Sequence, residues 1–227
     1  MSPELLRWES APEPYEVVFS TREGGVSVGP YASLNLGLLT GDERGRVEEN
    51  RRRLLAATGA DAARAAWPLQ VHGAGVVHAN GRGAEGDAIW TDERRRPLLV
   101  VTADCLPIAL ARLNGEPALC LVHAGWRGLA EGVVDAAVAA LGGELAAVVG
   151  PGISPCCYEV GPEVSERFGE RARTLDLRAV TDRVLQAAVV ERVDHVDLCT
   201  ACDPERFFSH RRDRGLTGRQ GAVAYIA

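Results

Sequence analysis

Short apolar runs and helically spaced segments alternate along this chain. "YEVVFSTR" (15–22), "PLLVVTADC" (97–105), "PALCLVHA" (117–124), "ELAAVVGPGI" (144–153) and "QGAVAYIA" (220–227) are apolar stretches of strand length. Continuous runs of this kind, bounded by turn or polar residues, predict buried strands. "HVDLCT" (195–200) predicts a shorter one. Residues 43–58, 127–141, 161–169 and 181–193 have helical spacing, with Gly59 closing the first and Gly142-Gly143 stopping the second. The Gly- and Ser-rich stretch 21–37 predicts a structured loop. No repeat, low-complexity tract or linker interrupts the pattern. The mixture predicts a single α+β domain over residues 1–227 with a substantial mixed sheet.

Composition changes this picture mainly by exclusion. Of 227 residues, 46% are hydrophobic and 25% charged, which fits a soluble globular protein. No apolar run approaches the ~20 residues of a membrane helix. The N-terminus lacks the basic start and apolar core of a signal peptide, so a cytoplasmic location and no membrane partner are expected. Net charge is −6, and the two "RRR" runs at 51–53 and 94–96 are flanked by Glu or Asp. They predict solvated faces rather than a nucleic-acid surface. All 25 basic residues are arginine, which excludes a lysine Schiff base and a P-loop lysine. Anion recognition therefore falls to arginine forks or backbone N–H groups. Six cysteines in a cytosolic setting point to thiols, ligands or nucleophiles rather than disulfides.

Two predicted strands end in chemically able residues, one at Asp104-Cys105 and the other at His123. If those strands are neighbours, both tips open onto one pocket. His72, in "WPLQVHGAGV", marks a third apolar-to-glycine transition. One Cys and two His form a known catalytic zinc set with an open fourth position. The same residues also suit a thiol hydrolase, with Cys105 as nucleophile, His123 or His72 as base, and Asp104 or another acid orienting it. A buried thiol beside satisfied core histidines is the third possibility. Gly73, Gly75, Gly125 and Gly128 permit close backbone approach. Gly125 to Gly128 also opens a predicted helix, where free N–H groups and Arg127 suit a phosphate or a ribose hydroxyl. "CTAC" (199–202) has the form of half a zinc site or a redox pair. The adjacent Cys156-Cys157 is a poor partner for it, so buried small residues are expected there.

The segments "TREGGVSVGPYASLNLG", "QVHGAGV", "DAIWTD", "VTADCLPIAL", "VHAGWRG", "VGPGISPCCYEVG" and "FFSHRRDRGLTGRQ" occur in the order seen in YfiH-type proteins, which the chain resembles over almost its whole length. That family carries the older labels polyphenol oxidase and laccase-domain protein, and is described as purine nucleoside phosphorylases with adenosine deaminase activity. The resemblance implies an α/β/β/α layered fold. It implies a metal site at His72, Cys105 and His123, holding zinc, with copper as the other candidate. Arg22, Asn35, Gly125, Arg211 and Arg212 become candidates for substrate binding, and Arg127 for catalysis. Asp104, or less favourably Glu159, becomes the proton-shuttling carboxylate. The implied partners are phosphate and adenosine, inosine, guanosine or methylthioadenosine, giving the base and ribose 1-phosphate. A cysteine hydrolase or amidase, in cell-wall precursor quality control, is the alternative. Only weak oxidase activity is expected, because five histidines cannot furnish a multicopper cluster and the sole methionine is Met1.

Overall fold

The computed structural model describes residues 2–80 and 83–227. In chain order it contains β1 (Leu5–Arg7), β2 (Tyr15–Ser20), α1 (Arg44–Thr58), β3 (Val76–His78), β4 (Ala88–Thr91), β5 (Leu98–Thr102), β6 (Leu106–Arg112), β7 (Leu119–Ala124), α2 (Trp126–Glu131), α3 (Val133–Leu141), β8 (Leu145–Val149), α4 (Pro162–Ser165), α5 (Leu177–Ala187), β9 (Arg192–His195) and β10 (Gln220–Ile226). No described helix is long and apolar enough to cross a membrane.

The strands form two sheets. The smaller has the order β1-β2-β10-β5 and is antiparallel throughout. The larger has the order β3-β4-β7-β6-β8-β9, parallel at its two outer pairs and antiparallel between. Successive side chains leave a strand on opposite faces. Thus Leu119 and Leu121 of β7, with Ala109 and Ala111 of β6, meet Val17, Phe19, Leu98, Val100, Ala222 and Ala224 of the smaller sheet. The opposite set, Cys120, Val122, Ile108 and Leu110, is covered by Val133, Val134 and Ala137 of α3 and by Leu177 and Leu185 of α5. On the far side of the smaller sheet, Val18, Leu99 and Val223 meet Leu54 and Leu55 of α1. The fold is an α/β/β/α sandwich. Central strands with two buried faces explain why the runs are continuously apolar rather than alternating.

Several expected boundaries move. The helix expected over 127–141 is two helices, broken at Gly132, whose φ of +85° glycine adopts without a steric penalty. The helix expected over 181–193 starts earlier, where the Asp176 carboxylate accepts the N–H groups of Arg178 and Ala179, and it ends at Ala187. The strand expected at 195–200 lies at 192–195 instead, and the chain beyond it touches the sheet through a bridge between Cys199 and Gly152. Segment 161–169 holds only α4 and a 3-10 turn ended by Gly169. Strand β6, in the middle of the larger sheet, is not among the expected strands. Its Pro107 argues against a central strand, but this residue sits second in the strand, where its carbonyl accepts the Gly150 N–H.

Tyr15 links the two layers. Its hydroxyl donates to the carbonyl of Arg112 at 2.6 Å and accepts the N–H of Ala118 at 3.1 Å, bracing the turn end of the β6–β7 hairpin. Tyr15→Phe keeps the ring and strips both groups of this partner. It is expected to lower stability by about 1–3 kcal/mol, as read by equilibrium urea denaturation.

Candidate active site

Strands β5 and β7 lie in different sheets, so the two tips do not meet as neighbours. They meet because the chain leaves β5 at Thr102, crosses the gap between sheets through residues 103–105 and enters β6, which does pair with β7. Leu106 stands opposite Ala124 and Pro107 opposite His123, and this register carries Cys105 to Gly125. A Cβ on Gly125 would lie 2.9 Å from Cys105 Sγ and 3.3 Å from His72 Cδ2, so glycine makes room for both side chains. Asp104 makes the crossing at φ +86°.

The third side chain arrives from the other edge of β7. There β4 pairs with Ala88 opposite Val122, which sets Asp87 against His123. The His123 N–H donates to the Asp87 carbonyl at 2.7 Å, and His123 Nδ1 lies 2.8 Å from Asp87 Oδ1. The fully buried Asp87 carboxylate also accepts the N–H groups of Val71, His72 and Gly73 at 3.2, 3.0 and 2.7 Å. One carboxylate therefore folds the 71–73 loop onto β7. It holds His72 at φ +64° with its ring 4.8 Å from that of His123, edge to face.

The ligand atoms of His72, Cys105 and His123 lie within 4.8 Å of one another. Burial pushes the Cys105 thiol up, but the facing His123 and His72 outweigh it and hold the thiol at about 6. Burial likewise disfavours a charged His123, yet the Cys105 sulfur and the Asp87 carboxylate raise it to about 9. Asp87 is lowered despite its burial by His123 and by the N–H groups of Gly73 and His72. With Nδ1 engaged by Asp87, His123 has Nε2 left for a ligand. A thiolate and two imidazoles converging on one point fit zinc or copper. The carboxylate behind His123 is the outer partner such ligands commonly have. The same contacts also form a Cys–His–Asp chain of the kind used in nucleophilic catalysis.

A cavity of about 670 Å³ opens beside this cluster, within the ~300–1,000 Å³ of small-molecule sites. Four of the candidate residues, Gly125, Asp104, Arg127 and Arg211, line it. Arg44, Arg51, Arg219, Trp67, Gln70, Tyr158 and His210 line it too, and no sequence signal marked them. Among the described residues, five arginines thus face the cavity together with one carboxylate, Asp104. Its oxygens are engaged, one by the Thr200 hydroxyl and the other by the Arg211 N–H, each at 2.7 Å. Guanidinium groups lie over aromatic rings at Arg51–Trp67, Arg127–Trp126 and Arg211–Tyr158, 4.4 to 5.0 Å from the centroids.

Three of the expected substrate contacts do not line this cavity. Arg22 donates to the carbonyls of Ala32 and Pro204 and lies over Phe208, away from the cavity lining. Asn35 is buried and donates to Thr40 and Asp42, while its Oδ1 accepts the N–H groups of Gly37 and Arg219. It shapes the cavity through those neighbours. Arg212 is paired with Asp213 and donates to the carbonyls of Thr200 and Phe207. Glu159 enters the site through its backbone, its carbonyl taking a hydrogen bond from Arg211. The anion seat expected at Gly125–Gly128 also weakens, because α2 has only six residues and a short dipole. Gly128 serves close packing, since a Cβ there would lie 2.9 Å from the Gly73 carbonyl. Asp87 was missed as a functional residue, although it opens the quoted motif "DAIWTD".

A sequence model of the multi-copper polyphenol oxidoreductase laccase family matches residues 16–227. The chain belongs to this family. The YfiH protein of Escherichia coli K12, named a purine nucleoside phosphorylase, is 37% identical over 91% of this chain and 92% of its own length. A Deinococcus radiodurans protein of the same name is 40% identical, covering 96% of this chain and 91% of its own length. Among solved structures, Neisseria meningitidis NMB0706 superposes with a TM-score of 0.90 at 33% identity over 98% of both chains. YlmD of Geobacillus stearothermophilus gives 0.88 at 33% identity over 95% of this chain and 94% of its own. These matches bear out the YfiH-type resemblance and the fold it implies.

Two measurements follow from the cluster. Asp87→Asn removes the charge behind His123 and is expected to weaken metal affinity about 10–100-fold, as read by chelator competition. In metal-stripped protein, alkylation of Cys105 mapped by mass spectrometry should rise through about pH 6, below the ~8.5 of a free cysteine. The sign follows from a lowered thiol pKa, which leaves the reactive thiolate present above that pH.

Proposed function

We propose that this chain is a metal-dependent enzyme that splits purine nucleosides with phosphate. The observation that carries the reading is the cavity with the His72–Cys105–His123 cluster at its margin and five arginines around it among the described residues. Fixed positive charge with no unengaged carboxylate suits an anionic co-substrate, and arginine forks match phosphate oxygens. Trp67, Trp126 and Tyr158 offer flat apolar faces for a base. The relatives named purine nucleoside phosphorylase support the same assignment.

His72, Cys105 and His123 would hold zinc, or copper in its place. When bound, the metal supplies Lewis acidity at that end of the cavity. Arg127 and Arg211 bind and orient phosphate, and Gly125 leaves the approach to the cluster open. Phosphorolysis breaks the bond between C1′ and the purine nitrogen, joins a phosphate oxygen to C1′ and sends the base away with a proton. The substrates are adenosine, inosine, guanosine and methylthioadenosine, and the sugar product is ribose 1-phosphate, or 5-methylthioribose 1-phosphate from methylthioadenosine. Hydrolytic deamination of adenosine is the second activity, in which water replaces the amino group at C6. Asp104 positions Arg211 through its N–H and is the carboxylate lining the cavity for proton transfer in that reaction.

A second reading rests on a specific contact. Cys105, His123 and Asp87 form a nucleophile–base–acid chain without any metal, with Asp87 rather than Asp104 orienting the histidine. That arrangement suits a cysteine hydrolase or amidase, including one acting on cell-wall precursors. Multicopper oxidase chemistry finds less support. His78 is paired with Asp92 and His195 with Asp182, so only two of five histidines join the cluster.

The deciding experiment measures bound metal, then turnover of inosine and adenosine with and without phosphate, in the wild type and in Cys105→Ser. Phosphate-dependent release of base, lost in Cys105→Ser, is the expected result. Turnover that survives complete metal removal would favour the cysteine hydrolase, and no turnover of any nucleoside would overturn the proposal. Arg127→Ala should depress phosphorolysis more than deamination, and equal losses would refute its assignment to phosphate.

A further inference from the structure

Of the five cysteines outside the His72–Cys105–His123 cluster, four form one of their own. The expectation that the adjacent pair Cys156-Cys157 cannot partner "CTAC" is corrected by the way two turns meet. The chain after β8 runs beside the chain after β9. The Gly152 N–H donates to the Leu198 carbonyl, and the Thr200 N–H to the Gly152 carbonyl. The Arg178 guanidinium clamps both segments, donating to the carbonyls of Gly152 and Leu198 and to the Ser154 hydroxyl. This pairing brings the sulfurs of Cys156, Cys157, Cys199 and Cys202 within 4.8 Å of one another.

The spacing discriminates between two chemistries. Cys156 Sγ lies 3.7 Å from that of Cys157, 3.8 Å from Cys199 and 3.4 Å from Cys202, and Cys157 lies 3.3 Å from Cys202. A disulfide needs about 2.05 Å. Four sulfurs each about 2.3 Å from one zinc ion stand about 3.8 Å apart, at the corners of a tetrahedron. The observed separations approach the tetrahedral edge. Backbone donors are also in place, since Cys199 Sγ accepts the Ser154 N–H at 3.3 Å and hydrogen bonds from the N–H groups of Ala201 and Cys202. Such donors favour a charged sulfur. An all-sulfur donor set selects a thiophilic ion, and exposed Cys156 and Cys202 leave an entry path.

We propose that Cys156, Cys157, Cys199 and Cys202 form a second metal centre, a closed four-thiolate zinc site that staples the turn after β8 to the turn after β9. Binding exchanges four thiol protons for one zinc ion, with no change of oxidation state. The staple stands directly behind the cavity wall. Tyr158, which lines the cavity, and Glu159, whose carbonyl holds Arg211, follow Cys157 in the chain. Thr200, between the ligands of "CTAC", donates to Asp104. The four cysteines are therefore positioning residues for that wall. This assignment does not depend on what the cavity binds.

The test is a zinc count on the purified full chain by plasma mass spectrometry. The wild type should carry about two equivalents. Cys105→Ser and the double variant Cys156→Ser/Cys202→Ser should each lose a different one. Zinc that persists in Cys105→Ser but vanishes in the double variant supports the cluster even if the cavity proves metal-free. Zinc lost entirely in Cys105→Ser alone would overturn the proposal. A readout on the unaltered chain guards against misfolding of the double variant. Cys156 and Cys202 should resist maleimide in the zinc-loaded protein and be labelled after chelation. Immediate labelling of both with zinc bound, or a disulfide between Cys157 and Cys202 in freshly purified protein, would refute the site.

Discussion

Asp87 accepts three consecutive backbone N–H groups, from Val71, His72 and Gly73, and pairs with Nδ1 of His123, all with no exposure to solvent. An isolated carboxylate in that position would cost several kcal/mol. The four contacts offset the cost only while the 71–73 loop and the end of β7 stay where they are. That requirement makes the site rigid. It keeps His72 in a left-handed conformation that a non-glycine residue seldom adopts. It also fixes which nitrogen of His123 faces Cys105. Charge balance closes the arrangement, because a thiolate and a carboxylate flank one imidazolium in the absence of a metal.

The second strained residue, Asp104, is held in the same manner. Its carboxylate receives the Thr200 hydroxyl and the Arg211 N–H, and its carbonyl accepts the Ile153 N–H. Cys105 therefore follows a residue anchored on three sides and precedes β6, a central strand of the larger sheet. The arginines around the cavity obey a related rule. In a chain without lysine, positive charge can be oriented by stacking as well as by ion pairs. Arg51, Arg127 and Arg211 each lie over an aromatic ring, which leaves donor atoms for a guest. The buried NH1 of Arg51 has no hydrogen-bond partner among the described residues.

The two cysteine-bearing clusters differ in what holds them. The mixed set of Cys105 and two histidines depends on strand register and a buried carboxylate. The four-cysteine set depends on two turns bridged at Gly152 and Thr200. The clusters meet in the wall formed by Tyr158, Asp104 and Arg211. Hydrogen bonds from Thr200 and Arg211 to Asp104 join that wall to the turn that carries Cys199 and Cys202.

The sequence by itself determined the layered α/β character, because strands buried on both faces must be continuously apolar. It also marked His72, Cys105 and His123, because each stands where an apolar run gives way to polar or glycine-rich chain. It did not reveal that β5 and β7 belong to different sheets, nor that β6 joins them, since Pro107 masks a central strand. Asp87 looked like one more residue before a strand, and Arg22, Asn35 and Arg212 looked like ligands although they bind the scaffold. Cys156-Cys157, being adjacent, looked a poor partner for Cys199 and Cys202. Local periodicity records which face of an element is buried. Which strand lies beside which, and which buried carboxylate or turn receives a given side chain, depends on long-range register and hydrogen-bond pairing, and those were decided only when the two sheets closed on each other.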